Sequence, residues 1–448
     1  MYDTVAMEDL STPAVALCNE GFAVFGRSAA SREGMPGVRV VSETVPCECI
    51  IMEEIEAGVS AAMDDIVAAL TKPLTAEEKS PKPKEEKLLR IVFKGNLEEV
   101  NRFFYKRGWA DGLPIVPPTE EAVAEMLTGT DLPADHVVGK LVPRLGKATV
   151  EKIAINAVMA GALPTYMPLL IAAVQALMDP KLRFGLEVAS AHSFAPFWII
   201  NGPLRRHLNM NSGSEALSPG DIANAAIGRA MGLIIKNIGG ARKGIEDKGT
   251  LGNPAKNTMV IAENEEESPW EPLHVEHGLN KEDSAVSVFY ANTCVNVPPY
   301  GTDDKGILDA VIYNIVPGRR GLFCLVLPPV HARTLARKGW AKKEIKAFIS
   351  EYARVPAFHH PAYWGLLSGG AVAKEWLPNN PTESMRIFRN PDWIRIIVAG
   401  GVSVMLGLFV GAGERSGGDW VTKKVELPPN WDKLVAKYKD VVPTYVLY

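Results

Sequence analysis

Cysteine is scarce in this chain, with five in 448 residues, too few and too scattered for a disulfide framework. Only Cys47 and Cys49 lie close together, and with no second pair a C-x-C reads as two small core or loop residues rather than a tetrahedral metal site. The chain contains no C-x-x-C, no H-E-x-x-H, no P-loop and no dinucleotide glycine fingerprint. Thioredoxin-type exchange, zincin-type hydrolysis and nucleotide cradling therefore have no motif behind them. Basic character is missing too. A formal charge of −4 and a pI near 6.1 leave no footprint for nucleic acid. No basic-then-apolar leader opens the chain, and a cytoplasmic setting is expected. Two stretches lack charge altogether, Ile153–Met178 and Ile396–Ala412. Pro164, Pro168 and Gln175 interrupt the first, and Gly400, Gly401, Gly407 and Gly411 the second. These are signs of a buried helix–turn–helix and of strand–glycine loop–helix rather than membrane spans.

What is present is ordinary globular composition, 47% hydrophobic and 22% charged, over a length that suits two or three domains. The class expected is α/β. An apolar run at Ala14–Cys18, an Ala/Ser-rich helical stretch, a second apolar run at Val38–Val41 and an amphipathic Ile51–Leu70 give strand, helix, strand, helix. Residues 1–70 thus read as part of a doubly wound domain. Two parallel strands bury too little to stand alone, so further strands are expected beside them. Nine of the seventeen residues Thr71–Lys87 are charged and three are proline, which marks a linker. Residues 88–448 then form a large mixed α/β domain. It opens on helical periodicity at Leu88–Tyr105, with further helices predicted at 149–178, 221–236 and 341–353. Strands are predicted at 197–201, 258–262, 284–290, 322–327 and 394–399.

The string Tyr2-Asp-Thr-Val-Ala-Met-Glu-Asp9 followed by Thr12-Pro-Ala-Val-Ala-Leu-Cys18 resembles the UGSC-type selenoprotein family. The arrangement is also similar to the selenoprotein B component of glycine reductase. In that family this stretch directly follows a redox loop, U-G-S-C, where U is selenocysteine. No such loop occurs in these 448 residues. The resemblance therefore implies a chain that starts after an in-frame stop codon, or a split gene with the loop on a companion subunit. It extends through Asp111–Thr119, Asn156–Gly161, Asn201-Gly-Pro203, Asn224–Arg229, Glu263–Glu266 and Ala399-Gly-Gly401.

Chemistry is sought first in Glu263-Asn-Glu-Glu-Glu-Ser-Pro-Trp-Glu-Pro-Leu-His-Val-Glu-His277. Five carboxylates in nine residues repel one another unless they fan out to solvent or converge on cations. In an extended chain His274 and Glu276 share one face and His277 lies opposite. A carboxylate beside an imidazole is the minimum for a general-base pair or part of a metal site, against the plainer reading of an acidic surface loop. Asp111, in a tight turn between Trp109 and Pro114, either meets a ligand or satisfies backbone N–H groups. Arg242 and Lys243, in the glycine-rich loop 237–252, suit an anion or are simply solvated. His192 and Asn201 flank the apolar run 197–200 and face a cleft or the core. The turns at Gly400-Gly401 and, more weakly, Ser368-Gly369-Gly370 admit a ligand backbone or close packing.

The expected function is a subunit or truncated form of a selenol- or thiol-dependent reductase. It would act on a small, anionic substrate, with the selenocysteine or cysteine supplied from outside the chain. His274, Glu276, His277 and Asp111 are the expected catalytic residues. Arg242, Lys243, His192, Asn201, Glu263 and Glu266 are expected to bind substrate. The alternatives are a metal-dependent enzyme built on His274, Glu276 and His277, whose metal the sequence does not name, and a non-catalytic assembly subunit. An oligomer, with a companion subunit carrying the redox loop, is expected, and neither nucleic acid nor membrane.

Overall fold

The computed structural model describes residues 2–45, 49, 51–79, 89–315, 321–359, 380–402, 404–411 and 418–441. Cys47, residues 80–87 of the charged linker and the Ser368-Gly369-Gly370 turn lie outside them. The fold is α/β. Its strands are β1 (Val15–Asn19), β2 (Arg39–Glu43), β3 (Val137–Leu141), β4 (Gly146–Thr149), β5 (Ala195–Asn201), β6 (Val260–Ala262) and β7 (Ala285–Val297). They continue as β8 (Phe323–Leu327), β9 (Arg354–Pro356), β10 (Ser384–Arg386), β11 (Ile394–Val398), β12 (Leu406–Gly411) and β13 (Val421–Lys424).

β1 and β2 pair in parallel, with Val15 opposite Arg39 and Asn19 opposite Glu43. The helix Ala23–Arg32 connects them and the helix Met52–Thr71 follows. Among the described residues no further strand joins this sheet.

Among the described residues seven strands form the main sheet, in the order β11-β8-β12-β7-β5-β6, with β13 along the first part of the long β7. Alternation along each strand sends one set of side chains to a shared interior. Phe197, Ile261, Phe289, Cys324, Ile397 and Phe409, one from each of the six strands on that path, belong to a single buried cluster. The sheet curls so far that its two edges meet: the Asn264 N–H, just past β6, donates to the Val398 carbonyl of β11 at 2.7 Å. The result is a barrel-like sheet. Its outer surface packs on two helical layers. Trp198, Val260 and Val288 face the helices Val150–Met159, Met167–Leu177 and Ile222–Asn237. Leu325, Ile396 and Leu408 face Asp304–Asn314, Pro329–Arg337 and Lys342–Tyr352.

The helix expected over 149–178 is two helices. Gly161, at φ +76°, turns the chain between them, and Pro164 and Pro168 sit where a first turn tolerates proline. In the second helix every residue but Gln175 is buried, so the charge-free run is core. Among the described residues no helix is long and apolar enough to cross a membrane. The second charge-free run departs from its expectation. After the turn at Gly400 (φ +99°) comes β12, not a helix, because the place between β8 and β7 requires a strand. Helix within 88–105 starts only at Leu97, where Asn96 and Glu99 close a capping box. β7 outruns its expected end at 290 and reaches Val297.

Candidate functional site

β5 and β6 are parallel neighbours, so Asn201, which ends the first, and Glu263, which follows the second, reach the same end of the barrel. Both are fully buried. Glu263 Oε2 accepts hydrogen bonds from Asn201 Nδ2 at 2.6 Å and from the Leu273 N–H at 2.9 Å. Among the described residues its Oε1 accepts none, and it lies 3.8 Å from Lys342 Nζ. Burial pushes the carboxyl above its ordinary range, against the opposing pull of Lys342 and of its two hydrogen bonds. The same Asn201 amide donates to Glu265 Oε1 at 3.0 Å, so one side chain joins an enclosed carboxyl to one nearer the surface. Glu265 also accepts the Gly202 N–H at 2.7 Å. Gly202 sits at φ +83°, and a Cβ there would collide with the Asp283 carbonyl. Only glycine serves.

The acidic run neither fans out wholly to solvent nor stays uncompensated. Arg205, 4% exposed, donates to the carbonyls of Gly202 (3.0 Å) and Glu263 (2.6 Å) and to both oxygens of Glu266 (3.2 and 3.1 Å). It pairs with Glu265 as well, at 3.1 Å. A planar fork of five donors fits this role as a lysine does not. Arg206, 66% exposed, touches Glu266 at 3.0 Å. Burial raises and the two arginines lower the Glu266 carboxyl, leaving it below its usual range.

The histidine segment is not extended. Leu273–Glu276 is a short helical turn, which separates the side chains that an extended chain would place on one face. His274 is fully buried, and among the described residues neither ring nitrogen has a hydrogen-bond partner. Glu276 is claimed by Lys342 at 2.5 Å and Lys346 at 2.7 Å. Burial pushes its carboxyl up, but the two ammonium groups outweigh that and hold it low. The His277 ring lies between Arg395, whose Nε donates to Nε2 at 2.9 Å, and Thr422, which meets Nδ1. Nε2 is thereby the acceptor and Nδ1 carries the hydrogen. Thr422 continues to Ser287 at 2.7 Å. Burial first, and Arg395 second, lower the His277 pKa to about 4. With that pKa the ring is neutral near pH 7.

The other expected site residues lie elsewhere. Asp111 is bound in bidentate fashion by Arg229 of the helix Ile222–Asn237, at 2.7 and 3.0 Å. Burial raises its carboxyl, and Arg229 more than reverses that. Arg242 is turned onto Glu246, with Nε to Oε2 at 2.9 Å, so its fork is occupied within its own loop. Lys243 is exposed in that loop. His192 is exposed, with its ring 5.7 Å from Phe194. Among the described residues no three His, Cys, Asp or Glu side chains are grouped to hold a metal ion. Cys324, inside the barrel, is pushed far above an ordinary thiol by burial. Cys294 is exposed as a residue, yet the packing around its sulfur also raises it. Sequence reading missed Arg205, Lys342, Lys346 and Arg395. The signal for Arg205 was the Arg-Arg pair just past Asn201-Gly202-Pro203. For Lys342 and Lys346 it was their four-residue spacing on one helix, and for Arg395 a lone charge within an apolar strand.

One comparison with known proteins is positive. Residues 1–72 match the model of the UGSC family. The match spans β1, β2 and the helices around them, and stops at the end of the helix Met52–Thr71. No curated protein and no solved structure matches the chain.

Proposed function

We propose that the chain is a component of a selenol- or thiol-dependent reductase of the UGSC type, acting on a small anionic substrate with a nucleophile supplied from outside its own cysteines. The observation that carries this reading is the family match over residues 1–72. The raised thiols of Cys294 and Cys324 support it, since the thiolate is the attacking form. In the reaction the external selenolate or thiolate attacks the substrate atom that bears the leaving group. The leaving group departs with the bonding electron pair and takes up a proton. A neighbouring cysteine of the loop then attacks the selenium or sulfur, releasing the reduced fragment, which is protonated in turn. The loop is left oxidised as a selenenylsulfide or disulfide, and an external dithiol reduces it.

The proton donor in this reading is the Glu263–Asn201–Glu265 cluster, because its inner carboxyl is held toward the protonated form. Arg206, the exposed guanidinium at this mouth, takes the anion-binding role first sought at Arg242. The test is dithiol-driven turnover in a mixture of the full chain with a polypeptide bearing the U-G-S-C loop, surveyed over small carboxylates. Glu263→Gln and Glu265→Gln are each expected to lower kcat about a hundredfold or more. Arg206→Ala is expected to raise KM with little change in kcat. Wild-type turnover by both Gln variants would remove the cluster from the reaction.

A further inference from the structure

The mouth of the barrel holds one buried cation without a role so far, Lys342. We propose that Lys342 is a positioning residue of the reaction: its ammonium closes on Glu263 Oε1 when that oxygen gives up its proton, and holds the carboxylate that is left. The inference rests on the reading of Glu263 as part of the proton donor.

Lys342 is the first residue of the helix Lys342–Tyr352, and its side chain is 8% exposed. An ammonium has three donors and no acceptor. One goes to the Glu271 carbonyl at 2.7 Å and one to Glu276 Oε1 at 2.5 Å. Among the described residues the third meets no acceptor, and Glu263 Oε1, 3.8 Å away, meets no donor. The gap is about 1 Å longer than a charge-assisted hydrogen bond.

That gap has a chemical reason. Glu263 Oε2 accepts from both Asn201 Nδ2 and the Leu273 N–H, so it is the carbonyl oxygen of the acid, and the proton of the protonated form sits on Oε1. A hydroxyl oxygen draws the ammonium only weakly. A carboxylate oxygen draws it as a full opposite charge. When the Oε1–H bond breaks, its electron pair stays on the oxygen and the proton goes to the departing group. The ammonium loses no proton and turns its third donor to Oε1. Glu276 is not stranded by this movement, because Lys346, one turn along the same helix, holds its other oxygen at 2.7 Å.

The other titratable groups that face the Glu263 carboxyl are Glu265, on its own loop, and Cys324, on β8. Neither supplies positive charge. Arg205 meets the backbone carbonyl of Glu263 rather than its carboxyl. Burial raises the carboxyl, and Lys342 is the strongest influence against it.

The first experiment needs no turnover. In the full chain, wild type, Lys342→Met and Glu276→Gln are each compared with the same background carrying Glu263→Gln, and the Tm difference is followed with pH. That difference grows above the ordinary carboxyl value of 4.5 and levels off at the pKa of Glu263 in the folded chain. Removing the ammonium is expected to move the level-off point up by about one pH unit or more. Removing Glu276, which competes for that ammonium, is expected to move it down. Equal points in wild type and Lys342→Met would overturn the proposal. So would an unmoved or raised point in Glu276→Gln, which decides the matter alone where Lys342→Met does not fold. In the mixture with the U-G-S-C polypeptide, Lys342→Met is also expected to lower kcat with little change in KM, and to shift the alkaline limb of the kcat profile upward. A wild-type mixture without turnover would overturn the reductase reading, whereas an unmoved level-off point removes the role of Lys342 alone.

Discussion

Glu263 and His277 are displaced from their ordinary protonation behaviour for the same first reason, burial, and with opposite signs for stability. Burial raises the Glu263 pKa from its ordinary 4.5, so the folded chain holds that proton more tightly than the unfolded chain. The stability it contributes is fully present below the ordinary value and is lost as pH rises through the folded one. Glu263→Gln, which keeps the shape without the charge, should therefore gain in Tm over the wild type as pH increases above about 4.5. A constant difference would mean that the carboxyl is not raised. His277 falls from 6.5 to about 4. Between those values the unfolded chain takes up a proton that the folded chain refuses, so this contribution is present above pH 6.5 and is lost as pH falls toward 4. The wild type should lose Tm more steeply than His277→Gln across that window. Parallel curves would contradict the arrangement with Arg395.

At the scale of elements, the glycine-rich loop shows how a free-looking cation is already spent. Arg242 holds Glu246, whose side chain is 1% exposed. Among the described residues, Arg242→Ala leaves that buried carboxylate with the backbone N–H of residue 242, at 3.2 Å, and Arg144, at 3.9 Å, and should cost about 1–3 kcal/mol of stability in a denaturant titration. Weakened substrate binding at unchanged stability would instead restore the binding role read from sequence. Much of the element order was legible, because hydrophobic period is local. Ala14–Cys18, Val38–Val41, Ile51–Leu70, 221–236 and 394–399 all carry the expected element, to within a few residues. What was not legible depends on tertiary place. β12 is apolar enough for a buried helix or strand, and only its neighbours β8 and β7 decide. The acidic run was visible as a cluster that needs cations. That Arg205 would be the one to enter it, and that the turn at Leu273 would part His274 from Glu276, follow from how β5 and β6 lie together.

For the whole molecule, two regions are unlike in how they are finished. The barrel-like sheet closes on itself and is covered on its outside by helices, and the acidic run at its mouth is met by Arg205, Lys342 and Lys346. Among the described residues β1 and β2 form a two-stranded sheet, with apolar residues exposed on the helix beside it. The UGSC match falls on that second region, and the chemistry proposed needs both the mouth of the first and a nucleophile brought to the chain. The most direct measurement is dithiol-driven reduction of small carboxylates by the full chain, alone and mixed with a polypeptide bearing the U-G-S-C loop. The account expects turnover in the mixture and none above background from the chain by itself. Robust thiol-dependent turnover by the chain alone would contradict it.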